Sequence, residues 1–170
     1  MEVKEVEYSR LFNLREYNNE RIGFRVAVDD NEDVDKVVGE LFFKVLQIEE
    51  ALELYRKCID LIYKTEQDVE YYDRRVKGDL ETIDDLKTRK KKLLEEEDSK
   101  AKMCQLLDID EMLVREERTL DFHKKKRDAA ISMLNTLRKR KEEFANLIRA
   151  GRFEEVLSRG LPGMEEETQE

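Results

Sequence analysis

The 170-residue chain has one proline, no tryptophan, one histidine and two cysteines. Cys58 and Cys104 without further partners exclude a disulfide scaffold and a cysteine-based zinc framework. No apolar run is long enough for a membrane span or a secretory signal, so the chain reads as cytoplasmic, with no membrane partner. With a single proline, little interrupts long helices. What the chain has in abundance is charge. Asp, Glu, Lys and Arg make up 44% of it, with 42 acids against 33 bases for a net charge of −9. Such a level occurs in disordered chains, coiled coils and thermophile surfaces. Apolar residues still make up 39% and are periodic, which argues against disorder. The abundance of Lys and Glu leaves a thermophile origin as an expectation.

The first 33 residues differ from the rest. Val6, Tyr8, Arg10, Phe12 and Leu14 fall on even positions, and so do Ile22, Phe24, Val26 and Val28. Alternation of this kind with aromatic and β-branched residues marks half-buried strands. Arg15-Glu16-Tyr17-Asn18-Asn19 lies between the runs and suits a turn. Residues 1–33 are therefore expected to form an antiparallel hairpin and an acidic helix-entry loop, with Asp33 or Asn31 as the helix cap. A lone two-stranded hairpin is marginal in water and has two open edges. That makes a homo-oligomer, a dimer in the first instance, an expectation, with Tyr8, Phe12, Ile22, Phe24, Val26, Val38, Leu41 and Val45 as its interface.

From Val34 the period changes. Val34, Val38, Leu41, Val45, Ile48, Leu52, Tyr55, Ile59 and Ile62 follow at steps of four and three, a seam of the coiled-coil kind. The ladder continues, thinner and partly polar, through Val69, Asp73, Val76, Leu80, Ile83, Lys87, Lys90 and Leu94. A long helix is expected over 34–104, with Gly78-Asp79 as the place where it could break. Asp108-Ile109-Asp110-Glu111 resembles a capping box. A second helix is expected over 105–150, on a ladder from Ile109 through Leu113, Leu120, His123, Leu134, Leu137 and Phe144 to Ile148. Gly151 ends it. Residues 151–160 suit a short helix, and 161–170 read as a disordered acidic tail. The fold class expected is α+β, predominantly α: an N-terminal β-hairpin followed by a long antiparallel helical hairpin.

Signals for catalysis are missing. There is no glycine-rich phosphate loop, no nucleophile elbow, no Cys/His ligand spacing and no Glu-x-x-His pattern of di-iron bundles. His123 sits in a seam, where it reads as a packing residue with a hydrogen bond. No enzyme activity, cofactor or metal is expected. Basic runs are the more suggestive feature: Arg89, Lys90, Lys91 and Lys92; Lys124, Lys125, Lys126 and Arg127; and Arg138, Lys139, Arg140 and Lys141. A turn between the two expected helices places residue 90 opposite 123 and 87 opposite 126. The first two runs then stand at one height and the third faces Arg74 and Arg75, beside Tyr63, Tyr71 and Tyr72. Such bands could hold nucleic-acid phosphates, with tyrosines stacking on bases. The net charge does not oppose this. Residues 1–33 carry −4 and 161–170 carry −4, leaving −1 over 34–160.

The stretch Phe12-Asn13-Leu14-Arg15-Glu16-Tyr17-Asn18-Asn19-Glu20-Arg21-Ile22 resembles an N-L-G-N-Y-E-N-E-R-I motif of small proteins of phages, plasmids and archaeal elements. Asn13, Leu14, Tyr17, Asn19, Glu20, Arg21 and Ile22 match; Arg15 and Glu16 stand where that motif has Gly-Asn. The resemblance implies a hairpin-plus-helix unit in a mobile-element setting, and no activity. Two functions follow as expectations. One is a non-enzymatic structural or interaction protein, a coiled-coil arm on a dimeric hairpin base with a protein partner. The other is a nucleic-acid-binding accessory protein using the basic bands.

Overall fold

A computed structural model describes residues 4–13, 19–28, 33–97 and 99–162. They form β1 (Glu5–Asn13), β2 (Asn19–Ala27), α1 (Val34–Leu94), α2 (Lys100–Arg149) and α3 (Phe153–Arg159). The fold is the expected one, an antiparallel β-hairpin followed by two long helices that pack on each other. The expected turn, Asn31 and most of the acidic tail lie outside the described residues, as do the side chains of Phe12 and Ile22. The chain divides into two compact units, one of residues 1–61 and 137–170, the other of residues 62–136.

In the first unit, Tyr8 pairs with Phe24 and Val6 with Val26, so the even positions share one face of the hairpin. Among the described side chains the odd face carries Glu5, Glu7, Ser9 and Arg25. Arg25 bonds the opposing Glu7 at 2.9 Å and reaches Glu5 at 3.4 Å. Asp33 caps α1: its carboxylate accepts the Asp35 N–H at 3.0 Å, and its carbonyl takes the first helical bond from Val37. Tyr8 and Phe24 lean on the buried Val45, Ile48 and Leu52 of α1, where Ile148 and Phe153 join them. Phe144, Leu137 and Val156 are also buried in this unit, with essentially no exposure. The end of α2 follows the expected glycine rule. Gly151 has φ +71°, its N–H bonds the Ile148 carbonyl, and the Arg152 N–H bonds the Leu147 carbonyl. That pair of bonds is the Schellman arrangement, which needs a residue tolerant of left-handed backbone. Leu161 is buried rather than part of a frayed tail.

In the second unit, α1 runs unbroken through Gly78 and packs antiparallel on α2. Val76, Ile83 and Leu120 form one cluster; Leu86, Leu93 and Ile109 form the next, with Leu113 touching both. Three expectations are corrected here. The first helix ends at Leu94, not 104, and the second starts at Lys100, so the apparent capping box at Asp108 lies inside α2. Electrostatics explain the position. Glu95, Glu96 and Glu97 oppose the negative end of α1 but suit the positive end of α2. Ser99 accepts the Lys102 N–H at 3.1 Å as the cap of α2. The largely buried Lys102 amine bonds the Leu94 and Glu96 carbonyls, satisfying backbone acceptors at the end of α1. The second correction is the α1 seam beyond residue 69. Leu80 and Leu94 are exposed, while Tyr72, Asp79, Leu86 and Leu93 take the inner positions. The third is the pairing of the two helices, taken up with the basic runs below.

Candidate functional site

Two surfaces merit description, one in each unit. In the first unit the expected interface splits. Leu41 and Val45 are buried within the chain itself, at 3% and 1% exposure, and Tyr8 and Phe24 are half-buried against the same core. The reason is that the hairpin's apolar face lies on α1 and so uses those residues internally. Val26 and Val38 are exposed. The sequence reading missed Phe42 and Phe43, which are 46% and 67% exposed. Phe42 touches the ring of Tyr8 edge-on at 6.4 Å and that of Phe43 at 6.3 Å. Val38 stands one turn before Phe42, and Val26 is two residues from Phe24. Tyr8, Phe42 and Phe43 thus carry aromatic contact from the hairpin's apolar face into solvent, with Val26 and Val38 exposed on the same two elements. The signal was present in the sequence: Leu41-Phe42-Phe43 is too apolar for a single seam position. An open groove of about 450 Å³ lies in the same unit, lined by Phe24, Lys44, Gln47, Ile48 and residues 151–155. Two of its polar contacts are Arg152 bonded to Glu155 and the Gln47 amide donating to Glu154.

In the second unit the helices pair differently from the expected register. Lys90 meets Asp110 at 2.5 Å, His123 meets Asp79 at 2.6 Å, and Arg127 lies 3.8 Å from Asp73. The earlier turn explains the shift. Ending α1 about ten residues sooner slides every partner on α2 by more than three helical turns. Arg89, Lys90, Lys91 and Lys92 therefore lie opposite the acidic stretch around Asp108 to Glu111, not opposite Lys124, Lys125, Lys126 and Arg127. Lys125 pairs with Asp121 on its own helix at 2.7 Å, and Arg127 also bonds Asp128. Arg138, Lys139, Arg140 and Lys141 belong to the first unit, where Arg140 bonds Glu143 and lies 5.8 Å from the Phe144 ring. The structure thus does not gather the basic runs into facing bands. It brings Tyr71 and Tyr72 beside the second run instead of the third.

His123 is held in the seam. Its Nδ1 lies 2.6 Å from Asp79, and the two side chains are only 16% and 13% exposed. Tyr72 and Phe122 flank the imidazole at 6.2 and 5.6 Å. The thiol of Cys58 is buried and points at the Leu137 carbonyl at 3.6 Å, and burial pushes its pKa up. Among the described residues no group of three or more His, Cys, Asp or Glu is placed to hold a metal ion, and no helix is long and apolar enough to cross a membrane. No family model, curated protein or solved structure matches the chain.

Proposed function

We propose that the chain is a non-enzymatic structural protein, a homodimer joined at its β-hairpin base, whose helical hairpin is offered to a protein partner. The observation that carries this reading is the uncovered apolar patch of Val26, Val38, Phe42 and Phe43 beside a hairpin with open edges. A phenylalanine buries about 150–250 Å² when enclosed. At their exposure, Phe42 and Phe43 leave on the order of 200 Å² of ring surface per chain, worth about 5 kcal/mol at ~25 cal/mol per Å². Two copies together gain roughly what association costs in lost freedom, about 4–15 kcal/mol. The rings alone give a marginal dimer; a stable one adds the free N–H and C=O groups of a strand edge. The resemblance of residues 13–22 to small proteins of phages, plasmids and archaeal elements is what supports placing this role on a mobile element. The basic runs support a nucleic-acid role less well, because Lys90, Lys125 and Arg127 already pair with carboxylates.

Size-exclusion chromatography with light scattering tests the reading. Wild type should elute at twice the 20.4 kDa chain mass. Phe42→Asp/Phe43→Asp should elute at the chain mass with helical content unchanged, since both rings are largely exposed and, among the described residues, the only ring of the hairpin that they touch is Tyr8, at its edge. A variant that keeps the wild-type mass, or a wild type at chain mass, overturns the reading.

A further inference from the structure

In the second unit a ladder of rings crosses from one helix to the other. On α1, the Arg75 guanidinium lies 5.2 Å from the Tyr71 ring centroid and donates to the Tyr71 hydroxyl at 3.1 Å. Tyr71 meets Tyr72 edge-on at 5.1 Å. Tyr72 lies 6.2 Å from His123 on α2, and His123 lies 5.6 Å from Phe122. The Lys126 amine stands 5.7 Å from the Phe122 centroid. Four rings in succession therefore span both helices and end in a cation on each side.

The two inner rings have a folding role. Tyr72 is half-buried and His123 is held by Asp79. The outer two do not share it: Tyr71 is 44% exposed and Phe122 is 54% exposed. Each gains from its cation only about 0.5–1 kcal/mol, the usual worth of such a pair at the surface. The helix seam thus leaves unexplained why two aromatic side chains stand outside it at the two ends of this ring ladder. Exposed rings interleaved with Lys and Arg are the surface that unpaired nucleotides fit. Each ring offers a face to a base, and each cation offers charge to a phosphate. Three of the nearby carboxylates, Asp73, Asp121 and Asp128, are held by Lys125 or Arg127. Arg75 and Lys126 face rings.

We infer that this belt binds single-stranded nucleic acid, with bases stacked on Tyr71 and Phe122 and the backbone drawn to Arg75, Lys124 and Lys126. A duplex is a poor fit, since its bases are already stacked and paired and present only edges to rings of this kind. The inference does not depend on dimerisation, because every residue in it belongs to the second unit.

The test uses the full chain and a fluorescein-labelled oligothymidylate of about 16 nucleotides, the upper site size of comparable stacking surfaces. Anisotropy at low salt should rise on titration, and tyrosine emission should fall, there being no tryptophan to mask it. A matched duplex and heparin should compete less well than the unlabelled single strand. Tyr71→Ala/Phe122→Ala should weaken binding by about tenfold or more, the scale of one lost base stack, with unchanged helical circular dichroism. Lys124→Glu/Lys126→Glu should weaken it at low salt and flatten the salt dependence. Absence of binding at low salt overturns the inference. So does ring-variant affinity equal to wild type, or competition by duplex or heparin as strong as by the single strand; either result would assign any binding to charge alone.

Discussion

The His123–Asp79 pair gives the sharpest test of the helix pairing. Both side chains occupy the seam between Val76, Ile83 and Leu120 and are about one-seventh exposed, so water screens the pair little. His123→Leu removes the donor at 2.6 Å and leaves the Asp79 carboxylate without that partner in an apolar seam. A hydrogen bond to a charged group contributes about 1.5–3 kcal/mol, and a stranded charge adds to the loss. The single variant should lose about 2–3 kcal/mol. Adding Asp79→Leu should recover most of it, because two facing leucines extend the Val76–Ile83–Leu120 cluster. Replacing a buried ion pair with apolar residues is often neutral or stabilising by about 1–4 kcal/mol. Urea unfolding followed by helical circular dichroism, with the four members of the cycle at neutral pH, reads the coupling directly. Additive single losses, or a double variant as weak as His123→Leu alone, would show that the two residues do not face each other and would refute this register of α1 on α2.

Two further outcomes follow from single positions. Gly78 lies exposed inside an unbroken helix and a Cβ there meets nothing within 4 Å, so Gly78→Ala should raise stability by about 1 kcal/mol in the same urea assay; a loss would mean that α1 is interrupted at that point. Native protein should yield one fast thiol to a disulfide reagent, Cys104, and a second, Cys58, only on unfolding. Because burial raises the Cys58 pKa, the folded chain keeps that proton at pH values where the unfolded chain has lost it, so stability should fall as pH rises through the ordinary thiol range. Cys58→Ser should remove that part of the alkaline loss, and an unchanged profile would contradict the assignment.

Much of the architecture is legible in the residues because burial leaves a period. The alternation around Tyr8 and Phe24 marks the hairpin, and the ladder from Ile109 to Ile148 marks the inner face of α2 almost residue for residue. Gly151 announces the helix end because left-handed backbone favours glycine. The turn that follows Leu94 is harder to read. It contains neither proline nor glycine, and its cap, Ser99, is completed by an amine bonding back to carbonyls, a contact no short motif records. On α1 the seam was misassigned because Leu80 and Leu94 look apolar, whereas Tyr72 and Asp79, which take the inner positions, look polar. Those two residues are also where the second unit gathers its aromatic belt. The misplaced turn moved every partner on α2, and with them the basic runs. The expected interface failed at Leu41 and Val45 for another reason: apolar periodicity tells that a face is covered, not whether the cover is the same chain or a second one.

Hydrogen–deuterium exchange measured as a function of protein concentration tests the central claim, a dimer joined at the hairpin base, most directly. As concentration rises, the outward-facing amides of β1 and β2 and those preceding Phe43 at the start of α1 should gain protection, while the amides of residues 62–136 stay unchanged. Protection that is independent of concentration throughout, or that rises in residues 62–136 and not in the hairpin, would contradict it.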